Sequence, residues 1–222
     1  MQRLWVLPRL SPARNSPLTV SQLVAQLYDP ANQRNPAKVK AIQEHLQLLQ
    51  KSPHAWLIAD ALLSSDSTDA RFFGALTFTV KINHDWWVAL ISAADITCID
   101  LPANPQSRSQ LNEGEVRELL ARLINYFVLL VNRGEKPLVI RKLASSLVAV
   151  FLKPNDFWTR PLRNLAVSLA NGSHVPQEQS QVVDFQNAAL PALNDAQIVA
   201  LLYFSTTLAE EAVKWSSEAR RR

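Results

Sequence analysis

The sequence predicts an all-α protein built as a right-handed α-solenoid of about four helix pairs. Three observations lead there. Segments with apolar residues at helical spacing recur along the chain. Strand signals are scarce, because Val, Ile and Thr seldom alternate with polar residues and only 4 Gly and 3 Tyr occur in 222 residues. The 13 Pro suit many short helices, each stopped and restarted.

Taken in order, residues 1–17 carry Pro8, Pro12 and Pro17 and read as an irregular arm. Arg3, Arg9 and Arg14 with no acidic residue before Asp29 loosely suit a transit peptide, or simply a basic arm ahead of the first helix. Thr19 caps a helix to Tyr28 with Val20, Leu23, Val24 and Leu27 inward. Asp29-Pro30 and Asn35-Pro36 bracket a loop, and Asn35 caps a helix that Pro36 opens, running to about Lys51 with Val39, Ile42, Leu46 and Leu49 buried. The stretch His54 to Trp86 then holds two helices around a polar turn. Trp56, Ala59, Leu62 and Leu63 mark the first; Phe72, Phe73, Leu76 and Val80 mark the second, with Ser67, Thr68 and Asp69 as candidate caps. Gly74 sits mid-helix, where it costs ~1 kcal/mol against Ala, so it implies close packing on a neighbour.

Residues 87–111 lose periodicity and read as an insertion or linker. Asn112 leads a strongly amphipathic helix with Val116, Leu119, Leu120, Leu123, Phe127, Leu130 and Val131 inward, and Gly134 stands where a left-handed cap is wanted. Pro137 opens a helix to about 152 with Ile140, Leu143, Leu147 and Phe151 buried. A further helix uses Leu162, Leu165, Ala166 and Leu169 and closes at Gly172. Residues 173–194 form a polar loop, longer than the ~12–15 residues of an inert connection. From Asp195 a last helix carries Ile198, Leu201, Leu202 and Leu208.

Eight helices pair into four hairpins beginning near 18, 53, 113 and 157. The outer two intervals come near the ~40–47-residue period of HEAT or armadillo repeats, and removing the 87–111 insertion brings the middle one into line. HEAT-like pairs spanning 18–222 therefore describe the chain; a compact bundle is the other arrangement such helices allow.

Composition excludes several classes. With 48% apolar and 19% charged residues the chain is globular. Net charge is +4 at pI near 9.4, spread along the helices and ending in Arg220, Arg221 and Arg222, so no nucleic-acid partner is expected. The longest apolar run, Leu119 to Val131, is interrupted by Arg122 and Asn125 and is too short for a membrane span. Cys98 is single and has no neighbouring base, which fits a reducing compartment and an inert thiol. His45, His54, His84 and His174 have no metal-ligand spacing, and nucleotide-loop and hydrolase motifs are missing. No enzyme, cofactor or metal is expected; only the unexplained 173–194 segment leaves an enzymatic reading any footing.

Two strings carry a family resemblance. ADALLSSDSTDARFFGALTFTVKINHDW resembles the N-terminal region of the importin-β nuclear transport receptors, most like the importin-13 branch and its fungal relatives. LVIRKLASSLVAVFLKPNDFWTRPLRNL resembles the segment that follows there, and FSTTLAEEA a later helix. The resemblance implies a HEAT superhelix that binds the GTPase Ran in its GTP form on the second helices of its pairs. Carried here, these are 36–51, 70–85 and 137–152, with exposed Lys38, Glu44, Gln47, Lys81, Asn83, Arg141 and Lys142 as the Ran-binding candidates. Cargo proteins and FG-repeat nucleoporins would be further partners, and the cytoplasm, nucleus and nuclear pore the locations. The family's receptors are several times longer and join their helices by a short acidic loop where this chain has 87–111. A helical scaffold without a Ran role is the alternative.

Overall fold

The computed structural model describes residues 17–93, 113–153 and 156–219. Among them every regular element is helical and no strand occurs. α1 (Pro17–Tyr28) is followed by a single turn, α2 (Pro30–Gln33), inside the expected loop. In α3 (Pro36–Lys51) the expected start holds: the Asn35 side chain accepts from the Lys38 N–H at 3.1 Å, and Pro36 fills the first turn, where no donor is needed. α4 (Ala55–Leu63) and α5 (Thr68–Ala93) form the second hairpin. Of the three candidate caps Ser67 is the one used, its hydroxyl accepting from Ala70 N–H at 3.3 Å. α5 continues to Ala93, so 87–93, the first part of the expected insertion or linker, is helical; the rest of it lies outside the described residues, as do Cys98, residues 1–16 of the expected 1–17 arm and the last three arginines.

α6 (Glu113–Asn132) and α7 (Pro137–Phe151) form the third hairpin. Its turn is fixed by Gly134 at φ 69°, a backbone state that costs glycine little, while Gly134 and Glu135 N–H donate to the Val131 and Leu130 carbonyls at 3.0 Å. α8 (Pro161–Asn171), ended by Gly172 at φ 78°, pairs with α10 (Asp195–Ala219). Between them, the expected polar loop is largely ordered: α9 (Gln177–Val182) and a π-turn (Phe185–Ala189) fold back on α8. Arg163 holds them there, donating to the Ser180, Gln181 and Val183 carbonyls at 3.1, 2.9 and 2.7 Å and standing over the Phe185 ring.

The helices form an α-solenoid of HEAT-like pairs: α1/α3, α4/α5, α6/α7 and α8/α10. Second helices pack on second helices, α3 on α5, α5 on α7 and α7 on α10. Thr79 of α5 meets Ser146 of α7 at 2.8 Å, and Asn83, one turn on, shares a cavity with Leu152 and Lys153. Register thus advances in the same direction along both helices, so they run parallel. An up-and-down bundle would set neighbours antiparallel; parallel equivalents are what stacked hairpins require. The core divides in the same way. Ile58 and Leu62 of α4 with Ala70 and Phe73 of α5 face the α1/α3 cluster, while Ala59, Leu63, Phe78 and Ile82 face the larger cluster of α6, α7, α8 and α10. Gly74 permits the α4–α5 contact, since a Cβ there would stand 2.9 Å from the Ala59 carbonyl and 3.1 Å from Leu62 Cβ.

Candidate interaction face of the second helices

Three of the candidate side chains lie on α3. Lys38 is exposed and its ammonium donates to Asn32 Oδ1 at 2.7 Å, which ties it to the α2 turn. Glu44 and Gln47 are exposed, and Glu44 pairs with Lys40 at 3.9 Å across one turn of water-facing helix. Such a pair contributes little to stability, so both groups can be recruited by a partner at small cost.

On α5 the expectation divides. Asn83 is exposed, but Lys81 is only 3% accessible, which corrects its placement among exposed positions. Its ammonium reaches the Lys51 carbonyl at 3.5 Å, at the C-terminal end of α3, where a cation offsets the partial negative charge of the helix terminus. Its four-carbon stem is buried along with it. Lys81 joins the two second helices.

On α7, Arg141 is exposed with its guanidinium 4.5 Å from the Tyr203 ring centre, a cation–π contact that joins α7 to α10. Lys142 is half-buried. The candidates therefore occupy three consecutive helices of one layer, yet they do not converge on a point. Arg141 and Lys142 stand near the start of α7, whereas Asn83 lies beside its end.

Around Asn83 the layer has a cavity of about 130 Å³ between α5, α7 and α10, walled by Thr79, Ser145, Lys153, Thr207 and Glu211 among others. Ser145 and Thr207 donate their hydroxyl protons to the carbonyls of Arg141 and Tyr203 one turn back, at 3.0 and 2.8 Å, so each hydroxyl oxygen is left with acceptor capacity. Burial pushes the Lys153 ammonium below its ordinary range. Sequence reasoning found Asn83 and missed the others, because apart from Thr79 on its own helix the residues that meet it lie roughly 60 to 130 positions further along the chain and carry no local pattern.

A second cavity, about 430 Å³, lies between α8 and the α9–π-turn segment, lined by Val167, Val175, Val183, Ala188 and His174 among others. Burial lowers the His174 imidazole, against the opposing pull of Glu178. Among the described residues no three His, Cys, Asp or Glu come together as a metal site, and no helix is long and apolar enough to cross a membrane.

What these features define is a helical-repeat scaffold with a polar, cation-bearing second-helix layer. Residues 42–128, from within α3 into α6, match the family model of the importin-β N-terminal domain. Over that stretch, 87 of the 222 residues, the chain is similar to the importin-β N-terminal domain. Neither the curated proteins nor the solved structures yield a match.

Proposed function

We propose that this chain is an N-terminal portion of an importin-β-type nuclear transport receptor and that its second-helix layer binds Ran in the GTP form. The observation that carries the reading is the importin-β N-terminal domain match over 42–128, which spans the α4/α5 hairpin and reaches into the hairpins on either side. The exposed Lys38, Glu44, Gln47, Asn83 and Arg141, with half-buried Lys142, are the proposed contacts. Lys81, being buried, holds α3 against α5 behind them. Many weak polar contacts spread over several repeats suit a globular partner, because each repeat adds its own small share. Within the family, the resemblance of the strings quoted above is what speaks for the importin-13-like fungal branch. Transport through the pore would add cargo proteins and FG-repeat nucleoporins as partners and the cytoplasm, nucleus and nuclear pore as locations.

Titration of the purified chain with Ran loaded with a non-hydrolysable GTP analogue, and in parallel with GDP, tests the proposal. Binding is expected for the GTP form and at least tenfold weaker for the GDP form. Gln47→Ala combined with Lys142→Glu should weaken it further. Equal affinity for both forms, or none for either, would support the second reading, a helical scaffold without a Ran role. That reading is favoured by one observation, the apolar surface that α10 leaves in water.

A further inference from the structure

We propose that the second-helix layer carries, along α5, a docking surface for an acidic peptide segment whose apolar residues recur at helical spacing. This ligand is additional to Ran, and its test does not involve Ran. Basic residues are concentrated on the two helices that flank α5 in the layer. α3, α7 and the adjoining Lys153 carry six of them, Lys38, Lys40, Lys51, Arg141, Lys142 and Lys153, against one acidic residue, Glu44. The excess is larger than the +4 of the whole chain, so the remaining residues are acidic on balance. Acidic side chains gather instead on first helices, Asp60 on α4 and Glu113, Glu115 and Glu118 on α6.

Between those helices α5 presents an apolar strip. Phe72, Leu76 and Val80 follow one another one helical turn apart and lead to Asn83, on the side of α5 opposite Phe78, which is 2% exposed. The three apolar side chains are only partly buried. Hydrogen bonds between the helices set cations beside them. Gln50 donates to the Thr77 hydroxyl at 3.4 Å and Lys81 to the Lys51 carbonyl at 3.5 Å, which brings Lys51 of α3 level with the middle of the strip. The Ser146 hydroxyl lies 3.0 Å from the Ala75 carbonyl and 3.2 Å from the Lys142 carbonyl, which brings Lys142 of α7 level with Leu76. Lys153 and Asn83 wall the same cavity at the far end. The strip is thus apolar along its middle with ammonium groups on both flanks. A peptide with apolar residues at successive helical turns covers it, as amphipathic helices cover apolar surfaces. Acidic residues between them reach the lysines, because packed helices stand only roughly 8–10 Å apart. Charge complementarity selects the acidic sign. An approaching carboxylate also offsets the burial that holds the Lys153 ammonium below its ordinary range. Nucleic acid fits less well: its phosphates would lie over aliphatic side chains, and of the three apolar residues only Phe72 offers a ring for base stacking.

The probe is a labelled synthetic peptide of about four helical turns, with leucine at every third and fourth position and glutamate elsewhere. Fluorescence anisotropy with the whole chain should show saturable binding that weakens at least about fivefold between roughly 50 and 300 mM salt. The same peptide with lysine in place of glutamate, or with serine in place of leucine, should bind at least about tenfold more weakly. Lys51→Glu and Lys142→Glu should each weaken binding about three- to tenfold with unchanged circular dichroism. Arg133→Glu, the same change of charge on the exposed α6–α7 turn, should alter it less than about twofold. If one lysine variant loses its fold, the other decides. Absence of saturable binding, equal binding of the lysine or serine peptide, or a loss from Arg133→Glu as large as from the lysine variants would each overturn the proposal. So would tighter binding of a single-stranded oligodeoxythymidine of similar length.

Discussion

Glu135 occupies the α6–α7 turn, and its carboxylate forms an ion pair with Arg71 from the first turn of α5 while accepting from the Thr68 hydroxyl at 3.3 Å and from Lys136 N–H at 2.9 Å. The two side chains are 5% and 17% exposed. Arg71 also donates to the Ser65 carbonyl at 2.6 Å, so one guanidinium connects the α4–α5 turn to the α6–α7 turn. Removing the carboxylate leaves that guanidinium buried without its counter-charge, which in comparable pairs costs about 3 kcal/mol. For a chain of this size, Glu135→Gln should then lower Tm by roughly 6–12 °C. Burial by itself would raise the Glu135 carboxyl, but the hydrogen bonds from Lys136 and Arg71 and the Arg71 charge outweigh it and hold the group below its ordinary range. A depressed carboxylate contributes stability that is fully present above the unfolded value of about 4.3 and is lost as pH falls through the lower folded value. Urea unfolding of wild type and Glu135→Gln at steps from pH 7 to pH 3, a range set to bracket roughly that value, should show a constant gap down to about pH 4.5 that narrows below it. A gap under about 1 kcal/mol at pH 7, the range of a surface pair, would refute the buried-pair argument. So would a gap that does not change with pH.

Three further outcomes follow from the packing. Gly74→Ala should destabilise by about 2 kcal/mol in denaturant melts, because the new methyl meets backbone at the Ala59 carbonyl and cannot be accommodated by a rotamer change. Lys81→Met keeps the buried stem and loses the bond to the Lys51 carbonyl; about 1 kcal/mol of stability should go, with the proposed Ran binding changed less than about twofold by titration. Arg163→Ala removes three hydrogen bonds to carbonyls of the α9 segment, so limited proteolysis should cut within 177–190 while α8 and α10 retain their amide-exchange protection.

Much of this architecture is written locally in the sequence. The seven residues assigned to the α6 stripe, Val116 through Val131, are all buried, and Asn35, Gly134 and Gly172 terminate helices where residue type alone places them. What could not be read depends on neighbours remote in the chain. α7 is buried well beyond Ile140, Leu143 and Leu147, with Val139, Val148 and Val150 at 1% exposure or less, because α5, α6 and α10 surround it. On α10 the pattern offers two apolar faces, and periodicity cannot choose; Phe204 is inside while Ile198 and Leu202 are out. Leu162, assigned to the inner face of α8, is 42% exposed. Lys81 reads as a surface cation until α3 is seen to end above it. The 173–194 segment reads as loop because its order comes from elsewhere: Asn164 donates to the Val175 carbonyl at 2.7 Å, and Asn125 accepts from His174 N–H at 2.8 Å.

The two hydrophobic clusters bear on how the second-helix layer behaves as a whole. The α4/α5 hairpin gives one face to each cluster, and among the described residues it is the hairpin on which α1 and α3 chiefly pack. In a stack whose members contact neighbours alone, stability is a sum over hairpins and the junctions between them, so an end hairpin can open while the others stay folded. The polar links across the layer are unevenly shared. Between α3 and α5 they include Gln50 to Thr77 at 3.4 Å and Lys81 to the Lys51 carbonyl at 3.5 Å, both long. Between α5 and α7 they are Thr79 to Ser146 at 2.8 Å and Ser146 to the Ala75 carbonyl at 3.0 Å. The α5–α7 junction is thus the firm part of the layer and the α3–α5 junction the yielding one. A partner that touches Glu44 and Gln47 on α3 as well as Asn83 on α5 would bridge the weaker junction and add its binding energy where the protein has least of its own.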